Sequence, residues 1–311
     1  MQPQETELFR ASFREMVREL GMLSRKTIGS DLSPLQSHIL IEINQSLNGL
    51  GVTELAQLLC VEKSSISRTL KTLEESQLLI RKTKSEDARA VIFTLSEKGQ
   101  DVLNQINQYA NQFTAEALTL SSPTELQLLD QTIKNFTKSL KSARRQREIG
   151  VIIRPIEPKD NLAIAAVIRQ SFIDNKIDHL EGVSLHDPCL NHLSEVYQGP
   201  QSGYWVLEID GQIKGGVGIA PLQNATAEYA ELQKLYIDQS LTGLGLGRRL
   251  IHLALEKAIE YKYQYCYLET LEELGAAVGL YQSFGFKLLD QRIGDTGHNT
   301  CGICMLKNLK S

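Results

Sequence analysis

Apolar residues recur at three- and four-residue steps through the first half of this chain. Leu8, Phe9, Phe13, Met16, Val17, Leu20 and Leu23 form one series. Val102, Leu103, Ile106, Tyr109 and Phe113 form a second; Leu126, Leu129, Ile133, Phe136 and Leu140 form a third, opening after Ser122-Pro123. That spacing predicts amphipathic helices. Long helices at both ends of a small domain offer more apolar surface than its own core needs, so the first and third series predict a homodimer.

Between them, Val52-Thr53-Glu54 starts a short helix with Leu55, Ala56, Leu58 and Leu59 on its buried side, and a break at Cys60-Val61 precedes another. In that second helix Ile66, Leu70 and Leu73 point inward, while Ser64, Ser65, Ser67, Arg68, Lys71 and Thr72 face out with no carboxylate among them. Hydroxyls and cations on one face suit a helix entering the major groove, where Asp or Glu would repel the phosphates. Two strands, about 79–83 and 91–95, follow as a hairpin whose flanks carry Arg81, Lys82, Lys84 and Arg89, with Asp87 placed to pair with Arg89. A basic hairpin beside such a helix can track phosphates or an adjacent minor groove.

The pattern changes near 141–150, where the polar stretch KSARRQREIG ends in Gly150. Beyond it strands and helices alternate: VIIRPI, then NLAIAAVIRQSF, then YWVLEID turning at Asp210-Gly211 into QIKGGVGIA. Strand YAELQKLYI, a Gly-rich turn, helix RRLIHLALEKAIE, strand QYCYLET, helix GAAVGLYQSF and strands near FKLLD and CGICMLKNL complete it. Asp-Gly between alternating strands is a strong hairpin signal. The expectation is two domains: a mostly α winged helix-turn-helix over 1–148, then an α/β domain with a mixed central sheet over 149–311.

Composition limits the alternatives. In 311 residues, 42% are hydrophobic and 23% charged, which excludes disordered and fibrous classes. No apolar run reaches the roughly 18 residues of a membrane span, and MQPQETELFR lacks a signal-peptide pattern. Five cysteines at low density fit a reducing cytoplasm. Residues 1–148 hold 19 Lys and Arg against 18 Asp and Glu, residues 149–311 hold 14 against 19. Any nucleic-acid binding therefore comes from a local patch.

From Leu32 to Gly99 the chain resembles the MarR family of winged-helix regulators. The resemblance rests on LSPLQSHIL, the helix VEKSSISRTLKTLEESQLL, the Asp87-x-Arg89 tip and TLSEKG. It implies a dimer on double-stranded, palindromic DNA. Ser64, Ser65, Ser67, Arg68 and Lys71 are the recognition-helix contacts, and Arg81, Lys84 and Arg89 the hairpin contacts. Gln77 departs from the Gly that usually stops the recognition helix there.

In SLTGLGLGRRLI, Gly243, Gly245 and Gly247 alternate just before a helix, an arrangement that points backbone amides at an anion. Arg248 and Arg249 in that helix's first turn are poorly placed unless an anion compensates. The spacing fails both the dinucleotide fingerprint and the P-loop. It resembles the acetyl-CoA turn of the GNAT N-acetyltransferase superfamily, with Thr242 where Arg or Gln is usual. AELQKLYI resembles that family's fourth strand, and Ala277 to Phe286 its second motif, with Leu274 replacing a frequent Asn. The resemblance implies that Leu235, Tyr236 and Ile237 pair with the pantetheine arm, and that Thr242, Gly243, Leu244, Gly245, Leu246, Gly247 and Arg248 hold the pyrophosphate. It also implies Tyr281 as general acid to the leaving sulfur.

Acetyl transfer to an amine also needs a base and an oxyanion donor. Glu231, on the strand expected to face the substrate, is the first candidate base, and Glu269 at the end of YLET competes. The backbone N–H near Ile237 is the candidate oxyanion donor. His298, Cys301 and Cys304 tempt toward zinc but lack a fourth ligand, so no metal is expected. The expectation is a cytoplasmic regulator that also acetylates a small primary amine or a protein lysine. The alternative is a domain that only senses acetyl-CoA or an amine.

Overall fold

The structure is a computed structural model describing residues 3–84, 87–297 and 302–310, with side chains described for 4–83, 91–297 and 302–310. The chain forms two compact units, Met1–Asp130 and Gln131–Ser311. The division falls inside one continuous helix, α6 (Pro123–Glu148), so residues 131–148 pack with the second unit although the sequence pattern changes only after them.

The first unit contains α1 (Pro3–Glu19), α2 (Pro34–Gln45), α3 (Val52–Leu59), α4 (Lys63–Glu75), the hairpin β1 (Leu79–Lys84) and β2 (Asp87–Leu95), and α5 (Glu97–Leu118). Helix α1 ends before Leu20 and Leu23, the last members of its apolar series. Ser33 caps α2: its Oγ accepts from Gln36 N at 3.3 Å, and Gln36 Oε1 accepts from Ser33 N at 2.8 Å. Leu55, Ile66, Leu70, Leu73, Phe93 and Leu103 close one core around α2. Leu58, expected inside, is 55% exposed. The terminal series stay outside: Leu8, Phe9, Met16, Leu129, Ile133 and Leu140 are exposed.

Helix α4 ends in a left-handed cap without glycine. Gln77 has φ 60°, Gln77 N donates to Glu74 O at 2.9 Å, and Leu78 N donates to Leu73 O at 2.9 Å. This is the Schellman arrangement, so the Gln77 departure leaves the exit of the helix intact.

The second unit is a seven-stranded sheet in the order β3-β4-β5-β6-β7-β9-β8. The strands are β3 (Ile152–Pro155), β4 (Gly203–Ile209), β5 (Gln212–Pro221), β6 (Tyr229–Ile237), β7 (Tyr265–Thr270), β8 (Lys287–Leu289) and β9 (Ile303–Asn308). All neighbours are antiparallel except β6 and β7. Asp210 and Gly211, at φ 49° and 75°, make the tight β4–β5 turn. Among the described residues the sheet is accompanied by α7 (Asn161–Asp174), the short α8 (Leu193–Val196), α9 (Leu246–Glu260) and α10 (Gly275–Ser283), besides the end of α6.

Strand alternation sorts the cores. Tyr204 and Val206 join Ile164, Ile168 and Phe172 of α7, whereas Trp205, Ala230 and Leu232 join Leu250, Ile251 and Ala254 of α9. Arg154 ties the edge strand down. Its guanidinium binds Asp160 at 2.6 and 2.9 Å and Glu208 at 2.8 Å.

Candidate active site and nucleic-acid interface

The parallel pairing of β6 with β7 covers only Tyr229–Glu231 against Tyr265–Tyr267. From Leu232 to Ile237, β6 has no paired strand on that side among the described residues. The other side stays paired to β5, with a bulge where Gly218 faces Gln233 and Gly216 faces Tyr236. Lys234 sits in that bulge at φ 47°. Its carbonyl accepts from Tyr204 Oη at 3.0 Å, and its ammonium pairs with Asp187. Unpaired ladder groups beside a parallel neighbour form a slot that an extended, amide-bearing ligand can enter as an added strand.

A cavity of about 170 Å³ opens at this slot. It brings together Glu231, Leu235, Tyr236, Ile237, Glu269 and Tyr281, the acetyl-transfer candidates that lie outside the Gly-rich turn. Phe172 and Ser171 of α7, and Thr270, Leu271, Leu274 and Ala277, also line it.

The two candidate carboxylates differ in their partners. Glu231, 4% exposed, accepts from Gln233 Nε2 at 2.7 Å, and Gln233 Oε1 accepts from Tyr197 Oη at 2.7 Å. Period-2 alternation puts Glu231 and Gln233 on one face, a signal present in the sequence. Tyr197 lies in the irregular 175–202 segment, where periodicity offered nothing. Glu269 is taken up by structure: it accepts from Tyr267 Oη at 2.6 Å and Thr296 Oγ1 at 2.8 Å, and Arg292 lies 3.5 Å away.

Tyr281, on α10, packs edge-on against Phe286 with ring centroids 5.9 Å apart. Burial pushes its phenol pKa well above the usual value, so it carries its proton at neutral pH. Its side chain lines the cavity.

The Gly-rich turn leads directly from β6. Asp238 Oδ1 accepts from Ser240 N at 3.0 Å and starts a single three-ten turn, Gln239–Leu241. Gly243 and Gly245 follow at φ 82° and 75°. Nothing lies within 4 Å of a Cβ placed on Gly243. The first α9 amide with a backbone acceptor is Arg249, bonded to Gly245 O at 3.2 Å. The amides of Gly245, Leu246, Gly247 and Arg248 therefore precede the helical ladder, beside the positive end of the helix dipole. The backbone fits a polyphosphate. Arg248 stacks over Phe284 with 5.7 Å to the ring centroid.

In the first unit, α4 presents Ser64, Ser67, Arg68 and Lys71 to solvent, with Ser65 half-buried. Arg68 Nε donates to Ser64 O at 3.3 Å, and Lys71 lies 3.8 Å from Glu75. Arg81 and Lys82 on β1 are exposed as well. Lys84, Asp87 and Arg89 lie outside the described side chains, and His298 and Cys301 outside the described residues. Cys304 is buried on β9.

This sheet, split beside a Gly-rich turn, is that of an acetyltransferase fold, and the comparisons agree. Residues 169–286 match the acetyltransferase (GNAT) family model, and residues 32–91 match the MarR family. Over 158 residues, 51% of this chain and 95% of the relative, the sequence is 40% identical to the uncharacterized N-acetyltransferase YjgM of Escherichia coli (strain K12). It is 34% identical over 92 residues to N-acetyltransferase 8B of Homo sapiens, covering 29% of this chain and 40% of that relative. A solved GNAT-family acetyltransferase from Staphylococcus aureus Mu50 aligns at TM-score 0.46 and 18% identity, covering 51% of this chain and 99% of its own. The chain belongs to the GNAT acetyltransferase family and carries a MarR-type domain ahead of the acetyltransferase domain.

Proposed function

We propose that the chain is a bifunctional cytoplasmic regulator and enzyme. Residues 1–148 dimerise and bind a palindromic operator in double-stranded DNA; residues 149–311 transfer an acetyl group from acetyl-CoA to a small primary amine or a protein lysine. The observation that carries the enzymatic half is the meeting of Glu231 and Tyr281 at one cavity beside the unpaired edge of β6.

Acetyl-CoA supplies an activated acetyl thioester. The amides of Gly245 to Arg248 hold its pyrophosphate. The open edge of Leu235 to Ile237 receives the pantetheine amides, and the N–H near Ile237 stabilises the carbonyl oxygen. Glu231 takes a proton from the attacking amine, directly or through one water, with Gln233 holding the carboxylate in place. The new C–N bond forms as the C–S bond breaks, and Tyr281 gives its proton to the departing sulfur. The buried Glu231 carboxylate in that cavity favours an amine that arrives as a cation.

On the DNA side, exposed Ser64, Ser67, Arg68 and Lys71, with half-buried Ser65, make the recognition face, and Arg81, Lys84 and Arg89 the hairpin contacts. The exposed stripes of α1 and α6 supply the dimer surface, which sets two recognition helices about 34–36 Å apart.

A turnover screen of the full-length protein against amine classes, reading released thiol, tests the enzymatic reading. One class is expected to be acetylated. If none is, while acetyl-CoA still binds and shifts DNA affinity, the second domain is a sensor instead.

A further inference from the structure

The last turns of α6 lie outside the segment that matches the acetyltransferase family, yet they touch its Gly-rich turn. Gln146 is buried, 7% exposed, and spends both ends of its carboxamide there. Its Nε2 donates to Leu244 O at 2.8 Å, and its Oε1 accepts from Arg249 Nη1 at 3.1 Å. Just after it, Ile149 and Val151 pack beside Leu207, Ile209 and Leu246. A Cβ on Gly245 would stand 3.5 Å from Ser142 Cβ and 3.7 Å from Gln146 Nε2. Helix α6 therefore backs one side of the turn.

In a trans peptide the C=O and the following N–H point in opposite directions. No cis peptide bond occurs among the described residues. By drawing Leu244 O toward α6, Gln146 turns the Gly245 N–H away from α6, toward the side that α6 leaves open. Gly245 cannot fix this plane itself, having no side chain and a φ of 75°. The same carboxamide keeps the Arg249 guanidinium against α6.

We propose that Gln146 is a positioning residue for the coenzyme: it orients the Leu244–Gly245 peptide so that the Gly245 amide meets the pyrophosphate. This rests on the reading of the turn as the acetyl-CoA site.

The test compares full-length wild type with Gln146→Met, which keeps the volume but neither hydrogen bond, and Gln146→Asn, which keeps the chemistry but cannot span both partners. Acetyl-CoA affinity is measured by calorimetry, and KM and kcat are measured with acetyl-CoA and with acetyl-pantetheine, which lacks the pyrophosphate. Folding is checked by circular dichroism. Both variants are expected to raise Kd and KM for acetyl-CoA about tenfold, the scale of one lost buried hydrogen bond. Expected kcat stays within about twofold and KM for acetyl-pantetheine does not move. Unchanged affinity in a folded variant overturns the proposal. So does an equal loss with both thioesters, which would mark a merely structural contact. If Gln146→Met does not fold, Gln146→Asn decides alone. A wild-type protein that does not bind acetyl-CoA overturns the reading of the turn, and this inference with it.

Discussion

The Gln233 carboxamide donates to Glu231 Oε2 at 2.7 Å while Tyr197 fixes its other end, so one buried carboxylate faces the cavity with its orientation held from behind. Glu269, by contrast, is engaged by Tyr267, Thr296 and Arg292. The two carboxylates should respond differently to neutralisation. Glu231→Gln is expected to lower kcat by about 10²-fold or more with little change in melting temperature. Glu269→Gln is expected to destabilise by about 1–3 kcal/mol, because one acceptor oxygen becomes a donor and the charge facing Arg292 is lost. Steady-state kinetics paired with thermal melts separates them. A larger kcat loss in Glu269→Gln would reverse the assignment.

Tyr281→Phe removes one hydroxyl and keeps the edge-on packing with Phe286. Affinity for acetyl-CoA should hold, and kcat should fall by about 10²–10⁴. Burial raises the phenol pKa, so the tyrosine stays protonated through neutral pH and adds no basic limb to the rate profile below about pH 10. A pH–rate profile with a tyrosine-dependent fall at pH 8 would contradict this role.

Gln77 holds the left-handed position at the end of α4 at φ 60°. Gln77→Gly relieves that backbone strain while both cap hydrogen bonds persist. The expected gain is about 1 kcal/mol in denaturant unfolding of the first unit. A loss of stability would mean that the Gln77 side chain contributes more than its strain costs.

Arg154 and the surrounding hydrogen bonds hold Asp160 below the usual carboxylate range. The sign follows from linkage. A lowered folded pKa contributes stability that is present above the unfolded value, near pH 3.9, and is lost as pH falls through the folded pKa. Asp160→Asn should cost about 3 kcal/mol at pH 7, since Arg154 is left with Glu208 as its remaining carboxylate. The variant's unfolding free energy should also fall less steeply than that of wild type below pH 4. Equal slopes would dismiss the ion pair as a source of acid sensitivity.

Arg68 projects from the exposed face of α4. Arg68→Ala is expected to weaken binding to a selected palindrome by about 1–3 kcal/mol per half-site, measured by anisotropy at moderate salt. Wild-type affinity in this variant would displace the recognition helix to another element.

Much of this molecule follows from local rules that act within a few residues. Helical spacing placed α4 with Ile66, Leu70 and Leu73 inward, Asp210-Gly211 dictated a primed turn, and alternating glycines before an amphipathic helix marked the left-handed turn ahead of α9. The boundary within α6 and the partners of each carboxylate were decided elsewhere. Residues 131–148 read as part of the first half, because a helix's periodicity does not say which body its face will meet. Glu231 ranked ahead of Glu269 as the candidate base, but both read as carboxylates on strands. Their roles diverge only when Gln233 and Tyr197 close on one, and Tyr267, Thr296 and Arg292 on the other. The contact of Gln146 with Leu244 joins residues 98 apart. Pairings at that distance depend on how whole elements pack, and no short-range pattern encodes them; there the tertiary structure alone decides which polar group is satisfied by which.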